Sequence, residues 1–125
     1  EKVNDNTVTN LTKVKEQTTF TTNLNQQGEL QLVTGTARWY APFDLQVTGI
    51  NTKVSSSADS NISIAIKKNG STVKSSSILA GQFSSIVSAP EFSMVEGDYI
   101  TVDVTSIGTT NKGEDLVVQF KYRQT

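Results

Sequence analysis

From Thr18 onward the chain is written in runs where apolar and polar residues alternate. That period of two is the pattern of strands with one buried face and one wet face. Leu30 and Leu32 alternate with Glu29, Gln31 and Val33, and Phe43, Leu45 and Val47 with Asp44, Gln46 and Thr48. The phase then slips and resumes on Ile50, Thr52 and Val54, with Gly49 at the slip; this predicts a β-bulge there. Ile62, Ile64 and Ile66 alternate with Ser63, Ala65 and Lys67. Ile100, Val102 and Val104 alternate with Tyr99, Thr101, Asp103 and Thr105, and Leu116, Val118, Phe120 and Tyr122 with Val117, Gln119, Lys121 and Arg123. One-sided alternation of this kind predicts antiparallel sheets. No segment beyond residue 17 carries a helical period.

The turn signals agree with the strands. Asn69-Gly70, between Lys68 and Ser71, predicts a two-residue type I′ hairpin, because both central residues need positive φ. That register would set Ile66 opposite Val73 on one apolar face. Glu96-Gly97-Asp98 predicts a second turn, and 55–61 and 106–114 read as loops, the latter with Gly108 and Gly113. The expected architecture is an all-β, antiparallel β-sandwich, jelly-roll-like, of about seven to nine short strands over residues 18–125. Residues 1–17 lack Gly, Pro and aromatics. Val3, Val8, Leu11 and Val14 fall within an arc of roughly 140° on a helical projection. This segment is expected to be a short N-terminal stalk or tail, either the end of a stalk from a longer fibre or an extended tail.

Composition narrows the function classes. A chain of 125 residues suits one core. Ser, Thr, Asn and Gln make up 48 of the residues, and 11 basic against 12 acidic residues leave a net charge of −1. A balance so near neutral argues for a fold and against nucleic-acid binding, which draws on a basic excess. With no His and no Cys, histidine acid–base chemistry, histidine metal ligands, thiol nucleophiles, disulfides, zinc fingers and iron–sulfur sites are excluded. No apolar run approaches the length of a membrane-spanning helix. A first residue Glu1 in place of Met reads as a processed or excised piece.

Candidate catalytic groups are sparse. Glu91, Glu96, Asp98 and Asp103 are close in sequence, but paired acid–base carboxylates must face one cleft. Asp103 is expected on an outward strand face and the others read as solvated charges. Ser71-Thr72-Val73-Lys74 formally matches S-x-x-K, yet it follows a hairpin turn and does not open a helix. Asp59 with Asn61, and Asp98 with Glu96, lack the spacing of a calcium loop. No catalytic residue, metal ligand or cofactor is therefore assigned. Sequons at Asn10, Asn61 and Asn69 decide little in so Asn- and Ser-rich a chain. The one dense aromatic–basic cluster is Arg38-Trp39-Tyr40. Adjacent strand residues point to opposite faces, so one of Trp39 and Tyr40 should enter the core while the other faces outward, where an aromatic face can stack on a sugar. Trp39, Tyr40, Asn111 and Lys112 are the candidate ligand-binding residues, and specificity is expected in loops 55–61, 75–85 and 106–114.

Taken in order, Gly35, Arg38-Trp39-Tyr40-Ala41-Pro42, Lys68-Asn69-Gly70-Ser71, Glu96-Gly97-Asp98-Tyr99-Ile100-Thr101-Val102-Asp103-Val104, Ile107-Gly108-Thr109-Thr110, Gly113, Asp115-Leu116 and Tyr122-Arg123 resemble a β-sandwich domain of bacteriophage and prophage virion proteins, over about residues 33–123. Such domains form the tips of tail fibres, head fibres or other appendages. The resemblance implies a non-enzymatic module on the virion surface, a homotrimer, that adheres to host cell-surface carbohydrate or decorates the capsid through contacts to other virion proteins. It supplies no catalytic residues. A carbohydrate-binding module of a secreted bacterial protein is the remaining alternative.

Overall fold

The structure is a computed structural model that describes residues 18–35 and 37–125, with residues 88–91 described by their backbone alone. The expected stalk, 1–17, lies outside the described residues. Among the described residues nine strands follow one another: β1 (Phe20–Glu29), β2 (Trp39–Tyr40), β3 (Leu45–Lys53), β4 (Ser56–Ala58), β5 (Ile62–Lys68), β6 (Ser71–Ile78), β7 (Ser84–Met94), β8 (Tyr99–Ser106) and β9 (Lys112–Gln124).

Asn69 and Gly70 both take positive φ, 52° and 88°, and so close the β5–β6 hairpin as the type I′ turn requires. Around that hairpin the pairs nest outward: β3 with β7, β2 with β8, β1 with β9. Rolling such a nested hairpin gives one sheet ordered β1-β9-β3-β7, with β4 added against β9, and a second ordered β2-β8-β5-β6. This is the jelly-roll arrangement of two packed antiparallel sheets. Every pairing is antiparallel, which suits the one-sided alternation.

The inward residues of both sheets make the core. Ile62, Ile64 and Ile66 of β5 meet Leu45, Val47, Ile50 and Phe120 from the facing sheet in one buried cluster. The register of β3 shifts between Val47 and Gly49 against both neighbours. That bulge moves the buried set from Leu45 and Val47 to Ile50 and Thr52, and a single unpaired residue is what reverses a period of two.

Several expectations need correcting. Leu30 and Leu32 are not in a strand: β1 ends at Glu29 and only Val33 bridges to Val104. Leu30 is buried but Leu32 is exposed. Ile66 lies opposite Lys74, not Val73, because the β5–β6 register shifts after Ile66. The type I′ turn fixes Lys68 opposite Ser71, and the bulge absorbs the extra residue on the β6 side. The loop expected over 75–85 is shorter, since β6 runs to Ile78 and β7 begins at Ser84. Asp103 and Thr101 are buried although they sit on the outward side of β8, for the reason given below.

The sandwich has two distinct ends. Phe20 pairs with Tyr122, and the Thr125 amide donates to the Asp44 carbonyl, so the first and last described strands meet at one end, the terminal end. Phe20, Phe43 and Tyr122 cluster there at 5.5–6.2 Å between ring centroids, with Phe20 stacked on Tyr122 and edge-on to Phe43, and Trp39 lies 5.1 Å from Tyr122. Segments 54–61, 79–83 and 107–111 gather at the other end, the loop end.

Candidate functional site

The site begins with an interrupted edge. Val33 exchanges backbone hydrogen bonds with Val104 on the free edge of β8, and Trp39-Tyr40 pair with Ile100-Tyr99 further along the same edge. Between these contacts Gly35 and Arg38 lie against the outer face of the sheet. The Gly35 amide donates to Asp103 Oδ1 at 2.7 Å, and the Arg38 guanidinium lies 4.3 Å above the Tyr99 ring. This strap covers Asp103, which sequence alternation alone leaves in water.

Asp103 is held on both oxygens. Lys67 Nζ, from the adjacent strand, is 2.6 Å from Oδ2, and the Lys67 side chain keeps 27% of its surface in solvent. Burial works to raise the Asp103 pKa, but the hydrogen bond and charge of Lys67 and the Gly35 amide outweigh it and leave the carboxyl below its ordinary value.

Strand alternation sorts the aromatic pair. Trp39 packs inward against Tyr122, while Tyr40 turns out with 54% of its surface exposed. Its ring sits 5.7 Å from that of Tyr99 at a tilt of 52°. Arg38 Nη1 donates to the Tyr40 hydroxyl at 3.4 Å. Arg38, Tyr40 and Tyr99 thus form one platform, with the cation over a ring face. Beside it opens a cleft of about 300 Å³ lined by Thr34, Gly35, Arg38, Lys67, Gly70, Tyr99, Thr101 and Asp103.

Two turns brace the platform from below. Asn69 Nδ2 donates to Asp98 Oδ1 at 2.9 Å, the Tyr99 amide donates to Asn69 Oδ1, and the Val95 amide donates to Asp98 Oδ2. The Asn69 side chain and the Val95 amide hold the Asp98 carboxyl below its ordinary pKa. The Asn69-Gly70 and Glu96-Gly97-Asp98 turns therefore grip each other, and Tyr99 starts from that grip.

Asn111 and Lys112 lie elsewhere. They are at the loop end, separated from Tyr99 by the length of β8, roughly 20–25 Å at the rise of a strand. With Glu29, Ser56, Ser57, Thr110, Gly113 and Glu114 they border a second, smaller cleft of about 210 Å³, in which Lys112 Nζ is 3.7 Å from Glu29. The loop is pinned by Asp59. Its carboxylate accepts the amides of Thr109, Thr110 and Asn111 at 2.7–3.1 Å and the Thr109 hydroxyl at 3.2 Å. Those amides, Thr109 first, pull its pKa down to about 2. A carboxylate so surrounded by donors is a loop clasp and not a cation ligand. Among the described residues no group of three His, Cys, Asp or Glu gathers to hold a metal ion. The four candidate residues thus divide: Tyr40 on the platform, Trp39 half-buried against the core on the opposite face, Asn111 and Lys112 at the far end. Arg38, Tyr99, Lys67 and Asp103 complete the platform and cleft. Arg38 and Tyr99 were visible as sequence neighbours of candidate motifs, whereas nothing local signals the strap that joins Gly35 to Asp103.

No family model matches the sequence, and no curated protein matches it. Among solved structures the chain is similar to a Bacillus endospore appendage subunit, from a family of disulfide-linked pili, at 14% identity and a TM-score of 0.50 over 86% of this chain and 87% of that one. It is also similar to a family 35 carbohydrate-binding module from Clostridium thermocellum (12% identity, TM-score 0.44, 86% and 92% covered). A third is the carbohydrate-binding module CBM36 in complex with calcium and xylotriose (18%, TM-score 0.43, 80% and 97% covered). At these identities the likeness is one of fold. The present sequence contains no cysteine from which a disulfide linkage like that of the pili could be made.

Proposed function

We propose that this domain is a non-enzymatic adhesion module of a virion surface appendage, a fibre tip, and that it binds host cell-surface carbohydrate on the Arg38–Tyr40–Tyr99 platform. The observation that carries the reading is the exposed Tyr40 ring, packed beside Tyr99 and Arg38, which themselves line a polar cleft. Pyranose rings offer an apolar face to an aromatic ring and hydroxyls to a polar rim. The platform stands on a β-sheet braced by two interlocked turns, so little ordering cost attends binding. Adhesion in place of turnover is supported by the chemistry at hand: the sequence has no His or Cys, and Asp98 and Asp103 already accept hydrogen bonds on both oxygens. The experiment is a glycan array probed with the domain and with Tyr40→Ala. The expected result is binding to a restricted set of glycans, lost in the variant; binding unchanged by Tyr40→Ala removes the platform from the reading.

A second reading, capsid decoration or head-fibre contact with other virion proteins, is favoured by Leu79 and Phe83, which project from one loop at the loop end with more than half their surfaces exposed. Exposed apolar residues at a loop tip suit a protein partner better than a sugar. Silence across the array, with Phe83→Ser abolishing incorporation into particles, would select this reading. Assembly as a homotrimer belongs to both, and sedimentation giving a stable monomer removes it.

A further inference from the structure

The cleft beside the platform is unbalanced in its hydrogen-bonding chemistry. Its charged donors are the guanidinium of Arg38 and the ammonium of Lys67. Arg38 is exposed, and of its five N–H groups one reaches the Tyr40 hydroxyl. Lys67 has three donors and a quarter of its surface in solvent. The one carboxylate of the cleft, by contrast, is already engaged. Asp103 Oδ1 takes the Gly35 amide, Oδ2 takes Lys67, and the side chain is almost wholly buried. Asp98, below the cleft, gives one oxygen to Asn69 and the other to Val95. Two cations against one sequestered carboxylate leave the cleft with a net positive charge. A neutral sugar hydroxyl both donates and accepts, and protein sites that select it usually offer a free carboxylate or amide oxygen for its proton. The uncharged groups here, the Thr34, Thr101 and Tyr99 hydroxyls and the glycine backbones, can accept as well, so the asymmetry is one of charge. Two cationic donors beside a sequestered carboxylate fit a group that carries negative charge and only accepts.

We propose that the saccharide bound at this cleft carries an anionic group, a carboxylate or a phosphate, set between Arg38 and Lys67 while its ring rests on Tyr40. This rests on the platform reading above and adds the charge class of the ligand. Arg38 is the principal contact, because a planar guanidinium can engage either anion with two parallel hydrogen bonds. Lys67 supplies a point charge without surrendering Asp103.

The test is calorimetry on matched pairs, following hits from an array that holds neutral, carboxylate-bearing and phosphate-bearing glycans. Each uronate oligosaccharide is paired with its methyl ester, and each glycerol-phosphate polymer with its dephosphorylated form. The expected result is binding of one acidic class, at least tenfold weaker binding of its neutral partner, and a decline in affinity between 50 and 500 mM salt. Which class binds assigns the anion. Arg38→Gln should weaken acid binding at least tenfold with only a small fall in melting temperature, since the side chain is exposed and its contacts are the face of the Tyr99 ring and the Tyr40 hydroxyl. Equal affinity for acid and ester, or hits confined to neutral glycans, would overturn the proposal while leaving the platform reading intact. No hit of any class would overturn both.

Discussion

Replacing Asp103 by Asn tests how the strap, the ion pair and the cleft depend on one another. The side chain keeps its shape, but only one of its two ends can still accept. Either Lys67 or the Gly35 amide, now at 2.6 and 2.7 Å, must face an amide NH2. Hydrogen bonds to a charged group contribute about 1.5–3 kcal/mol each. Breaking a buried ion pair costs about 3–5 kcal/mol, but Lys67 is partly solvated and can recover some hydration. The expected loss is therefore about 2–3 kcal/mol, which for a domain of this size lowers the melting temperature by roughly 10 °C. The pH dependence adds a second signature. Because the folded-state pKa of Asp103 is lowered, its contribution is fully present above its unfolded value, near 4, and is lost as pH falls through the lower folded value. Urea unfolding at a series of pH values should show a constant gap between wild type and Asp103→Asn from about pH 7 to 5 that narrows below about 4. A gap under about 0.5 kcal/mol at pH 7, typical of exposed pairs, or one that does not change with acid, would refute the assignment of Asp103 as the anchor of the strap.

Thr52 is fully buried and its Oγ1 has no hydrogen-bond partner, so Thr52→Val should stabilise the fold by about 1 kcal/mol in urea unfolding. A Cβ on Gly108 would stand 1.8 Å from the Asn111 carbonyl oxygen and 2.7 Å from Asp59 Oδ1; Gly108→Ala should therefore displace the 107–111 loop, seen as lost amide-exchange protection at Thr109–Asn111, while glycan binding at the platform persists. The Asp59 carboxyl should titrate near 2 by carbon-detected NMR, with loop protection complete above about pH 4 and lost as pH falls toward that value. Ile64→Ala, at a position 2% exposed between the sheets, should cost about 3–4 kcal/mol.

The parts of the fold legible in the sequence were those whose cause is local. Ile62, Ile64 and Ile66 announce β5 because the strand buries one face completely, and Asn69-Gly70 announces its turn because few other residues accept two positive φ values. Gly49 marks its bulge because the buried set changes parity around it. β1 and β6 were far less legible. FTTNLNQQGE and STVKSSSI are mostly hydroxyls and amides, and these strands sit at sheet edges, held by backbone pairing to β9 and β5 more than by a side-chain pattern. The Val73 misplacement has a similar origin, since a bulge next to a tight turn leaves no mark in the residue types. At the site, opposite-facing neighbours separated Trp39 from Tyr40, which needs only strand geometry. The burial of Asp103 depends on Gly35, 68 residues away, and no periodicity encodes a strap that distant. Asn111 and Lys112 belong to the 106–114 loop and not to the aromatic cluster, and the length of β8 keeps the two apart.

The central claim, a glycan bound on the side of the sandwich near the end where the first and last described strands meet, is tested most directly by mapping amide chemical shifts as a hit from the array is added. The account expects perturbations confined to residues 34–40, 67–70 and 99–103. Perturbations gathered instead at 54–61, 79–83 and 107–111, with the Tyr40 and Tyr99 amides unmoved, would contradict it.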